Sequence, residues 1–271
     1  MAQLAGREQV RRTEASVDRG RFHGACLLKT LKRLPAGFGV SDATPWTVSG
    51  FNGAMTTVFI ATGNAHKVEE IRAVLGGAGR VFLCQQDAPV RLEPEENGST
   101  FRENARIKAL TWATYLAIDV CNMGVQWVLA DDSGLEVDAL NGAPGVHSAR
   151  FAALDSGRPG NSPDFENNAK LLRLMDGIVP ERRTARFRCA LALTPVLAGL
   201  DAVAMAAGTR DFDGVCEGRL LAQPSGAGGF GYDPLFVPQG WDRPFAELGA
   251  DVKNQLSHRA RALAALRTGW V

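Results

Sequence analysis

Thr57-Val58-Phe59-Ile60-Ala61-Thr62-Gly63-Asn64-Ala65-His66-Lys67-Val68 changes character at its middle, and that change sets the fold class. The first five residues are an apolar, β-branched and aromatic run, the pattern of a buried strand. Thr62-Gly63-Asn64 breaks the run. Val68, Ile71 and Leu75 then recur at helical spacing until Gly76-Gly77 stops them. A strand that turns directly into a helix begins an α/β unit. The turn is also a natural anion site, because open backbone N–H groups and the positive end of the helix dipole meet there. Gly63 allows close approach, Thr62 and Asn64 can donate hydrogen bonds, and Lys67 adds a charge. The Walker spacing G-x-x-x-x-G-K-[ST] is absent, and an ordinary capped turn has the same local sequence.

Outward from this unit, Val81-Phe82-Leu83 reads as a second strand. Thr100 and Glu103 have capping-box spacing ahead of a helix over 101–118, with Phe101, Ala105, Ala109, Trp112 and Leu116 on its apolar face. Trp127 to Ala130 is a buried strand that ends in Asp131-Asp132. Asn167 to Met175 reads as a helix, and the alternation of Phe187, Cys189, Leu191 and Leu193 as a half-buried strand. Ala202–Ala207 and Val215–Leu221 read as further strands, and Ser257–Arg267 as a helix. Helices alternate with strands at first and strands dominate later, which predicts an α/β domain with a mixed sheet.

Thirty basic against 29 acidic residues argue against a nucleic-acid binder. No stretch approaches 18 uninterrupted apolar residues, so no membrane association is expected. Residues 1–33 hold eight basic and three acidic residues, whereas the remainder is slightly acidic. Residues 1–54 have no clean period and are broken by Pro35, Gly37, Gly39, Pro45, Gly50 and Gly53. They lack the apolar core of a secretory signal, and Glu8, Glu14 and Asp18 speak against a transit peptide. The expectation is a disordered extension or an unused upstream start over 1–54, with one domain over 55–271. Cysteines at 26, 84, 121, 189 and 216 show no C-x-x-C pair, which fits reduced thiols in a cytoplasmic protein.

Five further segments carry chemistry. Asp131 and Asp132 are adjacent on a strand, so they face opposite ways; one can bind a metal or activate water while the other is structural. Glu95 and Glu96, just before Asn97-Gly98, can supply another ligand for a hard cation. Asn104 and Lys108 share a helix face, and Lys108 either snorkels to water or aims at an anion. Gly226 to Gly231 holds four glycines in six residues, with Phe230 and Tyr232 able to stack on a base and Asp233 able to accept from its edge. Lys253-Asn254-Gln255-Leu256-Ser257-His258-Arg259 combines two cations, an imidazole and a helix cap.

Taken in order, T-G-N-A-H-K, E-N-G-S-T-F-R-E-N-A-R-I-K-A, A-D-D-S-G-L, G-A-P-G-V-H-S-A-R-F, G-G-F-G-Y-D-P and K-N-Q-L-S-H-R resemble the inosine/xanthosine triphosphatase (HAM1-like) family. The similarity begins at Met55. It implies an elongated two-lobed α/β fold with a central mixed sheet and a cleft, Mg²⁺ and a homodimer. It implies hydrolysis of ITP, dITP, XTP and dXTP to the monophosphate and pyrophosphate. By the same resemblance, Thr62, Gly63, Asn64, Ala65, His66 and Lys67 contact the triphosphate, and Lys108 reaches the phosphates. Glu96 and Asp132 hold the metal, Asp132 also being the proton acceptor, with Ser133 touching substrate. Phe230, Gly231, Tyr232 and Asp233 form the base loop, and Lys253, His258 and Arg259 complete the contacts. Residues 1–54 have no counterpart, and the 116–126 and 157–164 stretches are longer than usual.

A donor at His258 or Arg259 aimed at the 6-oxo group leaves ATP with an unpaired buried group, a penalty of roughly 1–3 kcal/mol. Two rivals stand beside this reading: a Maf-like pyrophosphatase for pyrimidine or modified nucleotides, and a nucleotide-binding module without hydrolysis.

Overall fold

The computed structural model describes residues 55–77, 79–118, 123–199 and 201–270. β1 (Thr56–Ile60) leads through Thr62-Gly63-Asn64 into α1 (Ala65–Leu75), whose first turn is capped by Asn64 accepting from the Lys67 backbone N–H at 3.3 Å. β2 (Arg80–Cys84) precedes α2 (Phe101–Leu116), which starts on a reciprocal Thr100–Glu103 capping box. β3 (Trp127–Val137) is followed by a 3₁₀ segment, Gly145–Arg150, and by α3 (Asp164–Leu174). β4 (Thr184–Pro195), α4 (Ala202–Ala207), β5 (Arg210–Leu220), β6 (Phe236–Pro238), α5 (Phe245–Leu256) and α6 (His258–Gly269) complete the chain.

The strands form one six-stranded mixed sheet in the order β2-β1-β3-β4-β5-β6. β1 pairs in parallel with β2 and β3, and the later pairs are antiparallel. The period-2 alternation of strand side chains sorts the core onto two faces. Phe59, Val128 and Ala130 meet Ala105, Ala109, Trp112 and Leu116 of α2 on one face. Val58, Ile60, Leu129, Leu191 and Leu193 meet Ile71 and Leu75 of α1 and Leu263 and Leu266 of α6 on the other. A third cluster, around Leu135, Phe187, Tyr232, Phe236 and Phe245, closes the far end of the long strands.

Three expectations change. Ala202–Ala207 is a helix, not a strand: Asp201 caps it by accepting from the Ala204 N–H at 2.9 Å, and alanine is the strongest helix former. β3 does not stop at the acidic pair but continues to Val137, because β4 supplies a partner at every position, including Asp131↔Leu191 and Asp132↔Ala190. α5 and the short β6 went unseen in the sequence, since the Gly- and Pro-rich flanks mask their patterns. Residues 1–54, Cys26 and Cys121 lie outside the described residues, while Cys84, Cys189 and Cys216 are buried free thiols. Among the described residues no helix is long and apolar enough to cross a membrane.

Candidate active site

The middle of β3 organises the site. Asp131 shares a sheet face with Leu129 and points toward α1 and α6. Arg259 of α6 donates to it through Nε at 2.9 Å, Lys67 of α1 through its ammonium, and Ser133 through Oγ at 3.0 Å. Burial opposes its charge, but Arg259 and Lys67 outweigh burial and hold the carboxyl well below the usual range. Asp131 is therefore a fixed anion.

Asp132 points to the other face, toward α2. Lys108 Nζ donates to its Oδ1 at 2.9 Å and Asn104 Nδ2 to its Oδ2 at 3.2 Å. The i, i+4 spacing of Asn104 and Lys108 puts both on the one face that meets this strand. Burial pushes the Asp132 carboxyl up, against the pull of Lys108 and Lys67, and neighbouring Glu96 adds to the rise. Glu96 reaches the same ammonium at 3.4 Å. The adjacent carboxylates thus differ in basicity, as a site with one structural and one proton-accepting acid requires.

Glu96 and Asp132 converging on one ammonium offer hard oxygen donors of the kind Mg²⁺ takes from proteins, one or two carboxylates with substrate phosphates completing the shell. Among the described residues there is no cluster of three or more potential ligands.

The second part of the site is built from α1, α5, α6 and the glycine loop. Gly229, at φ 76°, turns the loop where a Cβ would sit 2.2 Å from Asp233 Oδ2. That Oδ2 accepts from the Phe230 N–H at 2.8 Å and from Lys253 Nζ at 2.5 Å. Asp233 therefore holds the loop together instead of lying open for a base edge. Tyr232 is likewise buried, with its hydroxyl donating to the Ser148 carbonyl at 2.9 Å and its ring in the core. Phe230 is the ring left at the cleft, touched by Lys253 Nζ at 4.1 Å from its centroid and by a parallel His66 imidazole at 5.2 Å.

A cleft of about 120 Å³ brings together Asn64, Lys67, Ser133, Phe230, His258 and Arg259 from four separate motifs. A second cavity of about 330 Å³ lies beyond Phe230, lined by His66, Glu70, Ala246 and Lys253. Thr62 and Gly63 border the turn, and Thr62 Oγ1 accepts from the Asn64 N–H at 3.2 Å. Gly231 is anchored by Asp164, which accepts its N–H at 2.6 Å.

Arg259 is 1% exposed and committed to Asp131, Ser133 and Glu70. His258 stacks on Phe187 at 4.8 Å, and burial together with Arg259 drives its pKa well down, so it is neutral; its Nδ1 has no partner among the described residues. Glu70 and Asp164 were not singled out in the sequence. Glu70 binds Lys253 at 3.0 Å and also pairs with Arg259; its only signal was lying one helical turn after Lys67 on the same face.

A family model described as the Ham1 family matches residues 58–269. A dITP/XTP pyrophosphatase of Opitutus terrae is 46% identical over 219 residues, covering 76% of this chain and 95% of that protein. One from Desulforamulus reducens is 43% identical over 204 residues, covering 75% of this chain and 90% of its own. The solved structure of a HAM1 protein from Coxiella burnetii superposes with a TM-score of 0.65 at 36% identity, covering 80% of this chain and 98% of that one.

Proposed function

The chain belongs to the Ham1 family, and on that premise we propose that it hydrolyses the non-canonical purine nucleoside triphosphates ITP, dITP, XTP and dXTP to the monophosphate and pyrophosphate. The observation that carries the mechanism is the split of Asp131 and Asp132 onto opposite sheet faces, one neutralised by two cations and the other held near Lys108 and Glu96.

In this reading the triphosphate enters along the first turn of α1, where Asn64 fixes the backbone of Lys67. Lys67 and Lys108 bring positive charge to the phosphates. Glu96 and Asp132 would hold Mg²⁺, which would supply positive charge against the triphosphate. Asp132 accepts a proton from water as the water oxygen bonds to the α-phosphorus. The α–β bridging P–O bond breaks, and its electron pair leaves with pyrophosphate. The purine stacks against Phe230. His258, neutral and with a ring nitrogen to spare, is the donor for the 6-oxo group, while Arg259 positions it and locks Asp131. Thr62 to Lys67, Ser133, Gly231 and Lys253 line the remaining contacts.

The family resemblance further supports a homodimer, and buried free thiols support a cytoplasmic setting. The enzyme unit is residues 55–271. A nucleotide panel assayed for pyrophosphate tests the whole reading. ITP and XTP should turn over with Mg²⁺ and stop in excess EDTA. Turnover of dTTP or UTP with ITP untouched would favour a Maf-like enzyme, and binding without any release a sensing module.

A further inference from the structure

The cations of this site already have carboxylate partners. Lys67, Lys108, Lys253 and Arg259 pair with Asp131, Asp132, Glu96, Glu70 and Asp233, so five carboxylates face four cations. A triphosphate brings about four more negative charges near neutral pH. Even with a divalent cation counted, the total stays negative. The site needs another positive group that no carboxylate has neutralised.

Arg150 is such a group. It is half-buried at the end of the 3₁₀ segment Gly145–Arg150, and its contact is Nη2 to the Glu96 carbonyl at 3.5 Å. Among the described residues no carboxylate pairs with it. Its backbone is clamped on both sides. Ser148 Oγ accepts from the Leu135 N–H at 2.9 Å and donates to the Gly145 carbonyl at 2.6 Å. Gly134 leaves room for that hydroxyl, since a Cβ there would lie 2.3 Å from it. Asn167 donates to the Ala149 carbonyl at 3.3 Å and accepts from the Ala152 N–H at 2.8 Å. Lys170 donates to the Phe151 carbonyl at 2.7 Å. So much anchoring around a side chain without a strong partner of its own is the arrangement of a preorganised ligand contact.

Position gives it a role. Asp132, Lys108, Glu96 and Arg150 follow one another by contact, at 2.9 Å, 3.4 Å and 3.5 Å. Asp132 marks the attacking water, so Arg150 stands at the other end of the row. Resting on the pyrophosphohydrolase reading above, we propose that Arg150 contacts the β- and γ-phosphoryl tail. There its guanidinium N–H groups offset the charge that pyrophosphate carries away as the α–β P–O bond breaks. A planar fork suits two phosphoryl oxygens better than a point charge.

The test compares the full chain with Arg150→Gln and Arg150→Lys, using inorganic pyrophosphate and IMP as inhibitors of ITP hydrolysis. Arg150→Gln should weaken pyrophosphate inhibition about tenfold or more and lower kcat for ITP by a similar factor, with IMP inhibition within about twofold of wild type. Arg150→Lys should recover part of both losses. It also carries the comparison if the glutamine variant folds poorly. Unchanged pyrophosphate inhibition would overturn the proposal, as would equal losses for pyrophosphate and IMP, which would mean a displaced loop. Calorimetric titration of pyrophosphate with Mg²⁺ reads the same contact without turnover. Failure of wild type to hydrolyse ITP would therefore sink the functional reading alone, and the titration would still decide on Arg150.

Discussion

Adjacent carboxylates on a strand face opposite ways, and at Asp131 and Asp132 the two faces carry different surroundings. Asp132→Asn removes the proposed proton acceptor in a nearly isosteric way, so kcat should fall by about 10²-fold or more with stability little changed. Asp131→Asn instead takes from Lys67 its carboxylate and leaves the 1% exposed Arg259 with Glu70 alone, a loss of about 3–5 kcal/mol in chemical denaturation. A stable, inactive Asp131→Asn beside an active Asp132→Asn would reverse the assignment. His258 gives a separate pH signature. Its folded pKa lies well below the ordinary 6.5, so below that pH the unfolded chain takes up a proton that the folded one refuses. Its contribution to stability is thus fully present above about 6.5 and is lost as pH falls toward the folded pKa, at up to about 1.4 kcal/mol per pH unit. His258→Phe, which can keep the stack on Phe187, should flatten the acid side of the stability curve. An unchanged slope between pH 6.5 and 5 would show that another group carries it.

At the scale of elements, the glycine loop and α5 act together. Asp233 ties the loop's Phe230 N–H to Lys253 of α5, and Gly229 has no space for a side chain. Gly229→Ala should raise KM for ITP about tenfold or more, because it tilts Phe230 out of its stacking position, with a smaller effect on kcat. Phe230→Ala should give a KM rise of the same kind, since base stacking on an aromatic ring is worth about 1–3 kcal/mol. Normal KM in both variants would make the loop a structural connection. α1 and α2 show how readable an element is when cap, period and stop agree: Asn64 with Val68, Ile71 and Leu75, and Thr100 with Glu103. α4 misled because Ala202–Ala207 is short and apolar throughout, so neither period stands out, and the deciding contact is its Asp201 cap.

For the whole molecule, the enzyme unit should stand without residues 1–54, which carry few large apolar side chains and no sustained period. A protein starting at Met55 should keep its activity and melting temperature, and a several-fold loss of activity would give the extension a function. The amino-acid sequence by itself determined the α/β class, the mixed sheet and the first two helices, and it pointed to candidate residues for the chemistry. Those features are local, written in apolar period, caps and spacing. Only the tertiary structure decided what each polar residue does. It turned Tyr232 into a core residue bonded to Ser148, and Asp233 into the clasp of its own loop. It committed Arg259 to Asp131, 128 positions away, and left Arg150 without a carboxylate among the described residues. The physical reason is that a charge's role depends on its neighbours within a few ångströms, and here those neighbours come from strands and helices far apart in the chain.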